Sequence, residues 1–485
     1  MKYIVRFFPE IMVKGPSVKR RMVNQLYQNF LTLFQRRQCA VTLQRYPDKF
    51  EVFCEAEVVN TVEQVLASTP GVDQFSQAVQ YTLTAVEPGE TMAEIAQRVT
   101  PHVLDRIEGK SFAVRVKRTG THSFTSNQIE RFLGAHLIEQ GAPAGVRLKH
   151  PDETVILEIH DQTLNVVTRR MPGLGGFPIG SQGEVLSLMS GGFDSTVASF
   201  LSMKRGLKTH FVFFNLGGPA HEIGVKQVAL YLWETFGASH RVAFVSVPFE
   251  GVVEGLFQSV HPSYLGIMLK RLMLQAARKV AAELDVEVLV SGEAIGQVSS
   301  QTLKNLNVLD QSVDSLILRP LAMMDKADII RLADRIGTRH FAESIPEYCG
   351  VISQNPVVNA SLKRVEKEAS AFDDRLLEDA VANRRRIYVD QVVDDVNAHT
   401  ALPVVHDKPR GALVVDIRAP QKVAQAPLPE ADVALPFYEL QHRFDTLPPA
   451  DMYLLYCDKG VMSQLHGQLL QDAGKASVKV YRPSA

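Results

Sequence analysis

The stretch VLSLMSGGFDSTVASFLSMKRG, residues 185–206, decides the fold of the centre of this chain. An apolar, strand-like run (185–189) passes directly into Ser190-Gly191-Gly192-Phe193-Asp194-Ser195, and a helical pattern follows at once. Strand, glycine-rich turn and helix N-terminus in that order make an anion site, because unpaired N–H groups and the positive helix end converge on it. Adjacent glycines let the backbone come close to a ligand. Ser190 and Ser195 add hydroxyl donors. No Gly-Lys-Ser/Thr follows, so this is not a Walker A loop, and it is not the dinucleotide Gly-x-Gly-x-x-Gly pattern either.

Outward from that turn, HFVFFNLGG (210–218), RVAFVSVPF (241–249) and VEVLVSGEA (286–294) are short, nearly all-apolar strands. Helical segments separate them, the longest being SYLGIMLKRLMLQAARKVAAEL (263–284). Buried strands alternating with helices predict a parallel sheet covered on both faces. In that setting the hexapeptide resembles the PP-loop, Ser-Gly-Gly-x-Asp-Ser, of ATP pyrophosphatases. The resemblance implies cleavage of ATP between its α and β phosphates and transfer of AMP to a substrate oxygen. Pyrophosphate would rest on the loop, Asp194 would help hold Mg2+, and adenine would lie beside Leu188 and Met189. Lys270 could reach phosphate as a point charge, although a lone helical lysine is more often solvated surface. Gly292 ends a strand where open α/β sheets bind ligands, and Gln301 can offer an amide to the same crevice.

Towards the N-terminus the texture is α+β. YIVRFF (3–8) reads as a strand, Ser17 as the cap of a helix burying Met22, Leu26, Phe30 and Leu33, and CAVTLQRY and FEVFCEAEV as two further strands. This first domain is expected to span 1–60. A second, 61–165, has helices in TVEQVLAST and TMAEIAQRVTPHVLDRI and strands in SFAVRVKR, GVRLKH, TVILEIH and TLNVVTRR. A Gly/Pro-dense linker closes it (166–180). The parallel-sheet domain then occupies 181–370, a charged, helix-like connector 371–404, and a small α/β unit 405–485.

Length alone calls for several cores, since 485 residues exceed what one can serve. With 46% hydrophobic and 22% charged residues and a formal charge of −1, the composition is that of a globular protein. No apolar run approaches the roughly 18 residues that cross a bilayer. Lys2, Arg6 and Glu10 interrupt any secretory h-region, so a cytoplasmic location is expected. The charge is segregated: residues 1–60 carry ten Lys or Arg against five acids. Lys14, Lys19, Arg20 and Arg21 cluster at the first helix start, and Arg115, Lys117 and Arg118 in a later strand. Such groups position a nucleic-acid backbone without reading sequence. Few aromatics interleave, which favours folded RNA over a stacked single strand. A solvated basic face is the plainer alternative.

The four cysteines form no Cys-x-x-Cys pair, which argues against structural zinc, and no metal ligand set is expected. Cys39 and Cys54 read as small buried hydrophobes. Cys457 ends the apolar run YLLY and opens Cys457-Asp458-Lys459-Gly460-Val461-Met462-Ser463 before a helix. A thiol ringed by loop N–H groups at a helix N-terminus ionises more readily, and thiolate is the reactive form. With Asp416-Ile417-Arg418 on an earlier strand, the loop resembles a rhodanese domain. It departs from that pattern in having Asp458 and Lys459 where an Arg is usual, which suits a carrier loaded by another protein. Cys349, in PEYCGVIS (346–353), reads equally as core filler or reactive thiol.

Taken together, Ser190–Ser195, FNLGGPAHEIG (214–224), SGEAIGQVSSQT (291–302), PEYCGVIS and YCDKGVMS (456–463) closely resemble the tRNA 4-thiouridine synthetases, in the form with a C-terminal rhodanese domain. The resemblance spans nearly the whole chain and is weakest in the connector. It implies an N-terminal ferredoxin-like domain and a THUMP domain gripping tRNA, and a PP-loop domain using ATP and Mg2+. It implies Cys457 as persulfide carrier, Cys349 as its disulfide partner and uridine 8 as target. A cysteine desulfurase would donate the sulfur. Some relatives also feed the thiamine thiazole pathway through a sulfur-carrier protein. Two rivals remain at this stage: an ammonia-using PP-loop synthetase, for which no glutaminase-like segment is visible, and a tRNA-binding sulfur carrier that never activates RNA.

Overall fold

The computed structural model describes residues 1–485 apart from 86, 123, 346–354, 400–401, 476 and 484–485. The chain forms two compact units, Met1–Pro178 and Ile179–Ala485.

In the first unit, β1 (Lys2–Phe7), β2 (Val41–Arg45), β3 (Lys49–Cys54), β4 (Val72–Thr82), β5 (Ser111–Thr119), β6 (Gly145–Val146), β7 (Glu153–His160) and β8 (Thr163–Pro172) share one sheet. Its order is β2-β3-β1-β4-β8-β7-β5-β6. The helix Pro16–Arg36 buries Met22, Leu26, Phe30 and Leu33 as its period predicts. It begins at Pro16, with Gly15 as N-cap, and Ser17 makes no cap. Proline at the first helical position needs no N–H partner and has its φ already set, so it takes over the start. The expected boundary near residue 60 falls inside a continuous arrangement: helix Val59–Ser68 and β4 follow β3, and β4 pairs with both β1 and β8. Of GVRLKH only Gly145–Val146 forms a strand.

Helices Pro88–Ile107 and Ser126–Gln140 supply Ile95, Val99, Val103, Ile129 and Leu133 to a core with Phe112, Val155, Leu157 and Val166 of the sheet. Thr125 and Gln128 form a capping box at the second of these helices. A polar network holds part of the sheet together: Lys2 and Lys49 both pair with Glu51 (2.8 and 2.6 Å), and Lys49 also reaches Glu158 at 3.2 Å. Four strand spacings separate β3 from β7 in the sheet order, about 19 Å if flat, so the sheet is strongly curled.

In the second unit, β9 (Glu184–Leu188), β10 (Lys208–Asn215), β11 (Ala243–Pro248), β12 (Val288–Val290), β13 (Leu316–Leu318) and β14 (Arg385–Tyr388) form a sheet ordered β13-β12-β9-β10-β11-β14. The first five strands are parallel, as the apolar runs predict. The helix Leu265–Glu283 buries Leu269, Leu272, Ala276 and Val280 against Leu186, Val212 and Leu289. The connector departs from expectation. Its RRIY segment is β14, antiparallel to β11, and Leu376 of helix Asp374–Ala382 packs where a Cβ on Gly255 would lie. Four residues rich in arginine carry no readable strand pattern; the pairing comes from the open edge of β11. Beyond it, β15 (Val404–Val405), β16 (Ala412–Asp416), β17 (Val433–Ala434), β18 (Met452–Tyr456) and β19 (Val478–Tyr481) make an all-parallel sheet ordered β15-β19-β18-β16-β17.

Candidate active site

From β9 the chain builds outward through β10 and β11, then crosses to the other side of β9 for β12 and β13. The crevice at the carboxyl ends of β9 and β12 is therefore a topological switch point, where open α/β sheets bind ligands. Both sequence signals meet there. The loop after β9 leads into helix Phe193–Lys204, whose first turn carries Asp194. Gly292 follows β12 so closely that a Cβ on it would lie 2.6 Å from the carbonyl carbon of Asp194. Gly191 has φ +82°, and a Cβ there would meet Ile345 at 2.7 Å, so glycine is required twice over.

A cavity of about 570 Å³ opens over the crevice, a size suited to a small-molecule ligand. Leu188, Met189, Ser190, Gly192, Asp194, Ser195, Lys270, Gly292 and Gln301 all line it. Gly191 is not in the lining; it packs behind, against Ile345 and Val225. The Ser190 N–H donates to Ser195 Oγ at 3.1 Å, which locks the turn. Gln301 is buried, and its Oε1 accepts no hydrogen bond.

Lys270 is not solvated surface. Its Nζ donates to Glu293 Oε1 at 2.8 Å, and Arg319 Nε donates to the other oxygen at 2.9 Å. Burial pushes the Glu293 carboxyl up, yet these two cations outweigh it and hold it below the usual carboxylate range. The anchored carboxylate keeps Lys270 aimed at the cavity. Asp194 likewise has partners that sequence reasoning missed: Lys326 Nζ donates to Oδ1 at 2.8 Å, and Gln297 Nε2 to Oδ2 at 2.7 Å. His221 stands edge-on to Phe213 (4.8 Å between centroids), and burial pulls it down to about 4, so it is neutral. Glu293 follows Gly292 directly, but its partners Lys270 and Arg319, and Lys326 on Asp194, arrive only through long-range folding that no local spacing marks.

Among the described residues no three His, Cys, Asp or Glu converge as a metal site. Mg2+ is commonly held by one or two carboxylates together with substrate phosphates. Asp194, at the loop and the helix N-terminus, is the one carboxylate of the loop that could take that role, and a metal there would have to displace Lys326 or Gln297 from its oxygens.

Cys457 lies at a second switch point. From β16 the chain goes to β17 on one side and returns as β18 on the other, and Cys457 follows β18. It is buried, and the Ser463 backbone N–H in the first turn of helix Val461–Asp472 donates to its Sγ at 3.4 Å. Gly460, at φ +78°, makes the bend. Arg418, after β16, chelates Asp416 (2.7 Å) and reaches Asp458 (2.9 Å), to which Lys422 also donates at 3.2 Å. Lys459 pairs with Glu234 in the PP-loop half of the unit. A further cation borders the loop: the Arg482 guanidinium lies against Gly460 and donates to the Lys459 carbonyl. Cys349 lies outside the described residues; the segments on either side of it, at Ile345 and at Pro356 and Val357, line the cavity over the crevice.

The two halves of the unit are packed together. Above the site where a Cβ on Gly224 would stand, Ile345 lies at 3.2 Å and Leu465 of the Cys457 helix at 3.7 Å. His340 stacks on Tyr438 (4.0 Å) and Phe341 on Phe437 (5.5 Å).

In the first unit Arg20 and Arg21 are exposed and Lys19 half-buried on helix Pro16–Arg36, while Lys14 lies over the Phe177 ring at 5.6 Å. The strand cluster is less free: Lys117 pairs with Asp48 at 2.9 Å, Arg115 donates to the Leu148 carbonyl at 2.7 Å, and Arg118 lies 5.9 Å from the Phe124 ring centre. No helix among the described residues is long and apolar enough to cross a membrane.

A Ser-Gly-Gly-x-Asp-Ser turn at the switch point of a parallel sheet places this chain in a class, the multidomain α/β proteins with a PP-loop-like nucleotide domain. Comparison with known proteins narrows that class. The family model described as Thiamine biosynthesis protein (ThiI) matches residues 180–373, and the THUMP domain model matches 90–169. The tRNA sulfurtransferases of Azotobacter vinelandii and Pseudomonas syringae pv. syringae are 46% and 44% identical to it, each over 100% of both chains. The chain belongs to the tRNA sulfurtransferase family. A solved 4-thiouridine synthetase–RNA complex with bound ATP shares its fold, with a TM-score of 0.70 and 24% identity over 80% of this chain and 99% of that one.

Proposed function

We propose that this protein is an ATP-dependent tRNA uridine 4-sulfurtransferase that converts uridine 8 to 4-thiouridine, with sulfur carried as a persulfide on Cys457. The observation that carries this reading is the packed line from one switch point to the other. The glycine turn rests on Ile345, Ile345 lies over Gly224, and Gly224 meets Leu465 of the Cys457 helix. A nucleotide site and a sulfur loop built into one unit fit a reaction that needs both.

Uridine O4 attacks the α-phosphorus of ATP, and pyrophosphate leaves onto the loop N–H groups of 190–195. Lys270, held by Glu293, and Lys326 supply positive charge where it develops. Mg2+ at Asp194 would add further neutralisation of the phosphates. The buried Gln301 Oε1 is an acceptor matched to the amine of adenine. Adenylation turns a poor leaving oxygen into AMP. The outer sulfur of the Cys457 persulfide then attacks C4 and AMP departs, leaving the uridine joined to Cys457 through a disulfide. Cys349 thiolate attacks Cys457 Sγ, which frees 4-thiouridine and closes Cys349–Cys457; a cellular dithiol reopens it. Attack by sulfide first released from the persulfide balances equally. A cysteine desulfurase loads Cys457 in the cytosol. The same persulfide can supply a thiazole-pathway sulfur-carrier protein, a reading that the description of the family model supports.

The test is AMP release from ATP with and without tRNA. Formation that depends on tRNA is expected. Absence of AMP with tRNA, ATP and loaded Cys457 all present would leave only the sulfur-carrier reading.

A further inference from the structure

Apolar side chains exposed singly on a surface need no explanation, but a group of them at the mouth of a site does. Val298 lines the cavity over the crevice and is 50% exposed, so it stands at the rim. Val357 lines the same cavity, and its neighbour Val358 is 48% exposed. The Thr302 hydroxyl donates to the Val358 carbonyl at 2.7 Å, which brings Leu303, 69% exposed, to the same side. The three make an apolar ridge beside the opening.

The ridge is fixed from beneath by Asn305, which is fully buried. Its Nδ2 donates to the Ser299 carbonyl at 2.8 Å and to the Val357 carbonyl at 2.9 Å, and its Oδ1 accepts from the Ala360 N–H at 2.9 Å. One amide, with both its N–H donors used, ties the two rim segments together. Lys304, next to Leu303, and Lys363, three residues beyond Ala360, are exposed and stand in no ion pair among the described residues.

We propose that Val298, Leu303 and Val358 cover the RNA base that neighbours the target uridine, an inference that rests on the RNA-activating reading above. Uridine O4 meets the α-phosphorus only inside the crevice, so the uridine must leave its stack, as bases do in enzymes that act on them. Its departure uncovers the face of the base it was stacked on. An aliphatic ridge at the mouth shields that face from water, as apolar wedges do in other nucleic-acid complexes. Lys304 and Lys363 then meet the phosphates beside it, and these unpaired cations favour RNA over a protein surface as the occupant.

The experiment measures tRNA-dependent AMP release by the full-length protein at saturating ATP. It uses ordinary tRNA and tRNA with an abasic residue beside uridine 8, placed on each side in turn. The double variant Leu303→Ser, Val358→Ser should release AMP roughly tenfold more slowly with ordinary tRNA, the worth of partly burying two such side chains. Its ATP binding should be unchanged. On one side of uridine 8 the abasic residue should slow the unaltered protein by a similar factor and the serine variant no further, because the two changes remove the same contact. The pair Leu303→Met, Val358→Ile, which keeps the ridge apolar, should restore the rate with ordinary tRNA. An undiminished rate in the serine variant, a loss of its ATP binding, or losses that multiply on both sides would overturn the proposal. So would a change in sedimentation between the unaltered protein and the serine variant, which would make the ridge a contact between copies. If the unaltered protein released no AMP with tRNA, the RNA-activating reading itself would fall, and this one with it.

Discussion

Asp194 receives hydrogen bonds from Lys326 and Gln297, so its carboxylate is held at the helix start before any phosphate arrives. Asp194→Ala removes that charge and leaves Lys326 without its partner at the crevice. Thiouridine formation should fall at least about a hundredfold, the scale of losing a preorganised electrostatic group. Persulfide loading and tRNA binding should be unchanged, since the partners of Asp194 are Lys326 and Gln297 and belong neither to the Cys457 loop nor to the basic clusters. Near-normal thiolation by this variant would defeat the nucleotide-loop assignment. At this scale much was legible in advance. Ser190, Gly192, Asp194, Ser195 and Gly292 declare themselves because the strand, the turn and the helix start that orient them are contiguous or nearly so. Arg319, Lys326 and the role of Glu293 were illegible: their meaning is a set of ion pairs closed across 23, 26 and 132 residues of chain.

Among elements, the helix Pro16–Arg36 divides cleanly into a buried face and an exposed one. Its start presents Lys19, Arg20 and Arg21 outside the ion pairs that occupy Lys117 and Asp48. Replacing the three by Ala should weaken tRNA binding and flatten its salt dependence by up to roughly one log–log unit per lost phosphate contact. Affinity across a salt series measures this, and an unchanged slope would make the cluster a merely solvated face. Arg115 and Lys117, already engaged within the sheet, should matter less. Elements with a strong period, such as this helix and the apolar strands β9 to β11, were readable because local pattern and burial agree. β14 was not. Arg385–Tyr388 is a strand only because β11 offers an unpaired edge, and a pairing over more than a hundred residues leaves no mark on a four-residue segment.

On the scale of the whole molecule, the charged stretch 371–404 is not a freely hinged tether. Instead it is woven into the nucleotide domain through β14 and the Lys226–Asp395 pair (2.7 Å). The Cys457 helix already packs on helix Gly218–Leu232 through Leu465 and Gly224. Both flanks of the segment that carries Cys349, at Ile345 and at Pro356 and Val357, line the cavity. The sulfur relay between Cys457 and Cys349 is the central claim, and parallel measurement of protein-bound labelled sulfur and thiouridine yield in Cys457→Ser and Cys349→Ser tests it most directly. The Cys457 variant should take up no label from a desulfurase yet still bind ATP and tRNA. The Cys349 variant should load sulfur normally on Cys457 but turn over poorly, because the thiol that releases the product is gone. If the Cys349 variant took up no sulfur while the Cys457 variant loaded normally, the roles of carrier and resolving thiol would be reversed.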